Sequence, residues 1–416
     1  MKRIRWVAAA VAAAMTVSLA ACSSGGGEAA SPAGPGKLTV WVMGDSSAHF
    51  DELVKPFTEE TGTAVETVPI PWDSVDQKFT TAVASGNGPD VLQIGVSKLR
   101  TFADSGALLP LDDETLANHK NLASSNFLDG VAGDATAVDG KVVSLPWVSD
   151  TRVLFYRTDI LSAAGVAGPP ATWDELRADA KKLSGRGAGK FGFHVPQWDS
   201  ALPVTMTRNF GGDIVGSDGK INFGTPEFEK AVDLYTGLYS DKSVPTNSDF
   251  DQVQGFVSGV TPMLVSGPYL AAAIKQAAPQ LDGKWIVAPM PKAVTGTSLL
   301  AGSNLGIWKS TKNKDAALQL LDFLSRPDTQ VKWFGLDGQL PTVKAALADP
   351  KLSSDPLAAV YSKQLMDSKL LPLVPNWDGE TGKALLDALN AIALTGADRG
   401  QTLQKLFGAT GNSSIN

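Results

Sequence analysis

Between Lys37 and Gly95 the chain alternates strand and helix patterns, and that alternation narrows the fold more than any other feature. "KLTVWVMG" sets Leu38, Val40 and Val42 at every second position and ends at Gly44, the pattern of a strand. "DELVKPFTEETG" reads as a helix stopped by Gly62. "TAVETVPI" follows as a second strand, "WDSVDQKFTTAVASG" as a second helix and "PDVLQIG" as a third strand. Strands joined in series by helices form βαβ units, so the order predicts an α/β fold on mostly parallel sheets.

The middle of the chain is richer in helix signals. Thr172 with Glu175 three residues on is a capping box, and Leu176, Ala180 and Leu183 then share a face. Thr225-Pro226 opens another helix, lined by Phe228, Val232, Tyr235 and Tyr239, and Ala316, Leu320, Phe323 and Leu324 form a third stripe. Such stripes are read as core. No repeat of solenoid period is visible.

The first 21 residues differ from the rest. Lys2, Arg3 and Arg5 precede an apolar run from Val7 to Leu19, too short for a span of about twenty residues but suited to a secretory leader. The run closes on Leu19-Ala20-Ala21-Cys22, which resembles the lipobox of bacterial lipoproteins, whose cysteine becomes the lipid-modified N-terminus. The bland alternative is an ordinary cleaved signal with Cys22 incidental; either way the mature protein works outside the cytoplasm. Residues 22–36, rich in Gly, Ser, Ala and Pro, read as a tether. Cys22 is the one cysteine, so neither an internal disulfide nor a cysteine-built zinc site is available. The formal charge is −7 and becomes more negative once the leader's cations are gone. With no basic stripe, nucleic acid is not expected as a partner.

Several ordered segments resemble the extracellular solute-binding proteins of ABC sugar importers, the lipoprotein-containing family of the maltose binders. They are "KLTVWVMGD", "DQKFTTAVASGNGPDVLQIG", "DGKVVSLPWVSDTRVLFYRTDIL", "PPATWDELRADAKKL", "NFGGDI", "FVSGVTPMLVSGPYL", "IVAPMP", "AGSNLGIWKSTKNKDAALQLLDFLSRPDTQ" and "GQLP". The resemblance implies a two-lobed periplasmic-binding-protein-like α/β fold of the second type, each lobe a mostly parallel sheet flanked by helices, with the ligand in the cleft between. It places one lobe at 37–148 plus 305–332 and the other at 149–304 plus 333–416. Open α/β sheets do bind ligands beyond the carboxyl ends of their strands, and clefts between domains are favoured sites.

A neutral sugar presents hydroxyls, which carboxylates and amides satisfy, and C–H faces, which aromatic rings cover. By resemblance Asp45, Asp150 and Tyr269 are ligand residues. Asp45 has helix capping as an equal rival, and Asp150 has a hinge salt bridge to Arg152. Trp147 is either cleft wall or hinge packing. Trp198 with Asp199, and Trp377 with Asp378, fall near further family binding loops. Trp72 and Asp73 precede the second helix, where Asp73 is equally an N-cap. Ser303 and Asn304 open a crossing strand, and Gln93 points to the cleft. Ile94, Ser97 and Lys98 replace residues of the maltose binder, which weakens transfer of maltose specificity. Trp41, Trp173, Trp285, Trp308 and Trp333 are read as packing, Asp90 as a turn residue, and "GRGAGKFG" as a loop rather than a phosphate cradle.

The expected function is a membrane-anchored receptor, held through Cys22 and monomeric, that closes on a mono- or short oligosaccharide and delivers it to importer transmembrane subunits. No cofactor or metal is expected, and no catalysis. An alternative keeps the family but takes an anionic solute such as a glycerol phosphodiester, with Arg152 and Arg208 as its cations. A secreted carbohydrate-active enzyme is a more distant reading, because His49, His119 and His194 sit in no triad-like setting.

Overall fold

The computed structural model describes residues 36–44, 46–128, 131–133 and 136–415. The leader, Cys22 and Asp45 lie outside the described residues. In chain order the strands are β1 (Lys37–Met43), β2 (Ala64–Ile70), β3 (Val91–Gly95), β4 (Ala137–Val138), β5 (Lys141–Val142), β6 (Leu145–Thr151), β7 (Val153–Arg157), β8 (Met263–Ser266), β9 (Trp285–Ala288), β10 (Ser298–Ile307), β11 (Leu340–Pro341) and β12 (Ser368–Leu370).

β1 is the axis of the larger sheet, with β2 and β3 parallel on either side. Successive side chains of a strand point to opposite faces. Leu38, Val40 and Val42 therefore enter one core with Phe50, Phe57 and Leu320, while Trp41 and Met43 enter another with Phe79, Phe102 and Trp308. A central parallel strand buried on both faces is what helices on either side require. The first helix is broken in two, Ser47–Leu53 and Lys55–Thr61. Pro56 lacks the N–H that would bond the Glu52 carbonyl, and that carbonyl accepts from Lys332 Nζ at 3.3 Å instead. Asp90 fixes the entry to β3: its carboxylate accepts from the Thr39 N–H at 2.8 Å, from Asn313 Nδ2 at 3.0 Å and from the Thr311 hydroxyl.

The larger sheet runs β11-β6-β10-β3-β1-β2, with β12 beside β10. It is mixed rather than mostly parallel. β10 runs antiparallel to both β3 and β6, and β11 is antiparallel to β6. The smaller sheet, β8-β7-β9, is antiparallel in both its pairings. The departure from the expected parallel sheets has a simple cause: β6 and β10 are returning strands that link the two halves of the molecule, not members of a βαβ series. β6 ends at Thr151, and after Arg152 the chain enters the smaller sheet as β7. Around that sheet packs a helical layer, with Trp173, Leu176, Ala180 and Leu183 meeting Phe228, Val232, Tyr235 and Leu238. The capping box at Thr172 forms as expected: the Glu175 N–H donates to Thr172 Oγ1 at 3.1 Å, and Glu175 Oε2 accepts from the Thr172 N–H.

A division between lobes at residue 332 would cut the helix Pro327–Asp337, whose Trp333 packs on Phe50 and Trp147 in the first core. In "GRGAGKFG" the Arg186 guanidinium donates to the carbonyls of Leu183, Gly259, Phe191 and Val260, which makes the segment a pinned loop.

The crossing strand contains one residue that only glycine fits. Gly302 has φ +127, and a Cβ there would lie 2.1 Å from the Val148 carbonyl oxygen of the neighbouring strand. It adjoins the register shift between Ser303 and Asn304 in the β10–β6 ladder. Gly302→Ala is expected to cost at least about 2 kcal/mol. Urea unfolding should show the midpoint falling with the slope unchanged.

Candidate ligand-binding cleft

The parallel strands end together. Beyond β1, β2 and β3 lie Gly44, Trp72 with Asp73, and Gly95 to Lys98, which form one wall of a cleft of about 1100 Å³. Trp72 opens a one-turn 3-10 helix, Trp72–Ser74, and is 48% exposed. Its indole lies close against the backbone of two strand ends: a Cβ at Gly44 would come 2.9 Å from Nε1, and one at Gly95 would come 3.3 Å from the ring. Asp73 does not cap the helix that follows; Ser74 Oγ donates to it at 3.0 Å. Lys98 pairs with Asp76 at 2.8 Å and reaches Asp378 at 3.7 Å.

The facing wall begins where β6 hands over to β7. Asp150 Oδ2 accepts from Arg152 Nη1 at 3.4 Å, while Asp150 Oδ1 and Arg152 Nε are buried with no hydrogen-bond partner. Both groups lean on Gly267, where a Cβ would fall 2.5 Å from Asp150 Oδ1 and from Arg152 Nη1. Burial pushes the Asp150 carboxyl above the usual range; Arg152 opposes that, and the charge of Asp199 adds to it. Arg152 stays charged: burial pulls its pKa down, but Asp150 and Asp199 outweigh that pull.

The Arg152 guanidinium sits over the Tyr269 ring, 5.7 Å from its centroid. Tyr269 lies in the first turn of the helix Pro268–Ala277, 45% exposed, and its hydroxyl accepts from Gln252 Nε2 at 3.2 Å and Ser266 Oγ at 3.0 Å. Trp198 is 60% exposed. Asp199 beside it accepts the Ala201 N–H at 2.9 Å.

Of the residues expected at the site, the cleft brings together Trp72, Asp73, Gln93, Asp150, Trp198, Asp199, Tyr269, Ser303 and Asp378. Three others do not line it. Trp147 is 1% exposed, wedged between Phe50 and Trp333. It stands three positions from Asp150 on β6, and an odd spacing on a strand puts it on the opposite face. Asn304 adjoins Ser303 on β10 and turns away for the same reason; its Nδ2 donates to Ser144 Oγ at 3.0 Å. Trp377 is 1% exposed, and its Nε1 donates to Ser200 Oγ at 2.9 Å, so the indole packs into the core shared with Trp173, Phe228 and Tyr235, while Asp378 beside it reaches the cleft. Gln93 lines the cleft, but its amide is largely engaged. The Met43 N–H donates to Oε1 at 3.0 Å, and Nε2 donates to Ser303 Oγ at 2.7 Å.

Two residues on the cleft escaped the sequence reading. Gln252 Oε1 and Gln339 Oε1 are buried there without a partner. Gln252 is the first residue of the helix Gln252–Val257, capped by Asp251, and nothing in its local pattern marks it. Gln339 lies in the "GQLP" segment, which was a signal of family but not of role. Arg208, expected as a possible cation for an anionic ligand, is 7% exposed and bound to Asp213 and to the carbonyls of Lys369 and Leu370. It does not line the cleft. Among the described residues, the charged side chains that do are Asp73, Asp150, Asp199 and Asp378 against Lys98 and Arg152, a net negative set. Among the described residues no group of three or more His, Cys, Asp or Glu is placed to hold a metal ion. No helix among them is long and apolar enough to cross a membrane.

Known proteins resemble this chain. A putative binding protein of Brucella abortus is 30% identical over 83% of this chain and 85% of its own length. The diacetylchitobiose binding protein DasA of Streptomyces coelicolor is 27% identical, covering 91% of this chain and 90% of its own. The solved structure of the sugar-binding protein MalE from Xanthomonas citri superposes with a TM-score of 0.82 at 28% identity, over 90% of this chain and 96% of that one. This chain shares the two-lobed architecture of that solved structure. Residues 42–331 match the bacterial extracellular solute-binding protein family, and the chain belongs to it.

Proposed function

We propose that this protein captures a neutral saccharide between its lobes and presents it to the transmembrane subunits of an ABC importer, binding and releasing without turnover. The lobes would divide close to 37–148 with 305–337 and 149–304 with 338–416. One observation carries the reading. Three exposed rings from separate elements, Trp72, Trp198 and Tyr269, border a cleft holding unpartnered polar atoms of Asp150, Arg152, Gln252 and Gln339. Rings cover the C–H faces of a sugar, and the polar atoms meet its hydroxyls. A ligand that touches both walls stabilises the closed arrangement by its differential contacts. The acidic balance of the cleft disfavours an anionic solute.

Titration with a sugar panel that includes diacetylchitobiose, maltose and monosaccharides, followed by tryptophan fluorescence and calorimetry, should find a binder. For that sugar Tyr269→Ala and Trp198→Ala are expected to weaken affinity about tenfold or more with little change in melting temperature. Silence across the whole panel would sink the reading.

Acidity gives a second test. A hydroxyl donates best to the ionised Asp150 carboxylate, and the proton competes for the same oxygen. Because burial raises this pKa, affinity should fall on acidification, beginning above the ordinary Asp value of about 3.9. Asp150→Asn is expected to bind more weakly and to lose that pH dependence.

We further propose that Cys22 carries acyl chains that hold the protein on the outer face of the cell membrane, with 22–36 as the tether. Burial of about 0.8 kcal/mol per methylene makes two chains a stable anchor. Cys22→Ala should move the protein from the membrane fraction into the medium; retention of the variant would argue against the anchor.

A further inference from the structure

The cleft is not polar all round. After β12 the chain presents Leu371 and Leu373, and the helix Thr381–Asn390 adds Leu386. These three are half-buried, whereas Leu385 and Leu389 of the same helix are fully buried in the core. Leu386 stands one helical turn beyond Gly382, so both turn toward the cleft.

Several polar groups of the same wall have partners of their own. Ser200 Oγ accepts from Trp377 Nε1, Asp378 faces Lys98, and the carbonyls of Lys369 and Leu370 accept from Arg208 Nη1. Among the described residues, the buried side-chain polar atoms of the cleft that lack a partner belong to other elements: Asp150 and Arg152 at the β6–β7 junction, Gln252, and Gln339 before β11.

This division has a consequence for the ligand. Hydroxyls set against the leucines would leave water without gaining partners, which is unfavourable. A methyl, alkyl or aryl group in the same place gains from leaving water. The flat C–H faces of sugar rings already have Trp72, Trp198 and Tyr269, and aliphatic side chains suit a projecting apolar group instead.

We propose that the saccharide taken by this cleft carries an apolar substituent, and that Leu371, Leu373 and Leu386 receive it. The inference rests on the reading of the cleft as a saccharide site and narrows it. Two sources share the chemistry: the methyl of an acetamido group on the sugar itself, and an aryl or alkyl aglycone at its reducing end.

Calorimetry on the full chain with matched pairs separates them. Cellobiose is compared with N,N′-diacetylchitobiose, and cellobiose and maltose with their 4-nitrophenyl glycosides. At least one substituted sugar should bind roughly tenfold or more tightly than its plain partner. Leu373→Ser and Leu386→Ser should erase that advantage, the substituted sugar losing about tenfold more affinity than its plain partner. A gain in the acetamido pair assigns the group to the sugar, and a gain in a nitrophenyl pair assigns it to the aglycone. Equal binding within every pair overturns the inference on the wild-type protein alone, as does an advantage that survives both leucine variants; the saccharide reading stands in either case. Binding by none of the five overturns the inference as well, and the saccharide reading beneath it falls only if the monosaccharides of the wider panel are also silent.

Discussion

The pairing of β10 on both of its edges is the constraint from which the site follows. Along its ten residues it meets β12 first, then β6, and finally β3 on the other edge. Since side chains alternate, one slip of register would exchange every inward residue for an outward one. The observed register sets Ala301 opposite Asp150 and Ser303 opposite Gly95. Small residues thus stand beside the carboxylate and beside the end of β3, where bulkier ones would fill the cleft. Gly302 and the adjoining irregularity are the local cost of keeping both ladders in step.

That register brings a charged pair to a place where charge is expensive. Asp150 and Arg152 are joined by one long hydrogen bond of 3.4 Å, each keeping a buried polar atom unpartnered. A pair built for stability would be closer and fully bonded, because desolvation offsets much of the attraction. Here the arrangement holds a donor and an acceptor ready, and the Gly267 backbone and the Tyr269 ring restrict where the guanidinium can go. The geometry is therefore organised before a ligand arrives, which reduces the ordering cost of binding.

Much of this was legible in the sequence. The alternation from β1 to β3, the capping box at Thr172, the Pro226 helix start and the turn role of Asp90 rest on local chemistry, and local chemistry decides them. Asp150 and Tyr269 came from resemblance, and the cleft contains both. What stayed hidden depends on distant partners. Trp147 was open between cleft wall and hinge packing, and Asn304 was read together with Ser303 at the opening of the crossing strand, although strand alternation already argued against either sharing a face with the cleft residue nearby. Gln252 and Gln339 carry no local mark; their importance lies in an amide oxygen left without a partner by residues far away in the chain. The mixed sheet was equally invisible, since strand order shows which segments are extended but not which of them return.

The aromatic residues show the same limit from another side. Trp72, Trp198 and Tyr269 each follow a proline within two positions, but so do Trp147 and Trp377, which are buried. Proline alone therefore does not expose a ring. Position at a helix start does not decide it either. Long side chains lean toward the N-terminus of their helix, so a ring in the first turn projects past the helix end. Trp173 does so into the core: its N–H donates to the Lys292 carbonyl at 3.2 Å and its Nε1 to Asn209 Oδ1 at 3.1 Å. Tyr269 does so into the cleft, because the helix Pro268–Ala277 begins beside the β6–β7 junction. The same local rule yields a core residue in one case and a candidate ring platform in the other, and the difference is only what lies beyond the helix end. Here that is the mouth left where parallel strands stop and returning strands cross, which makes the sheet topology, more than the identity of any ring, the origin of the site.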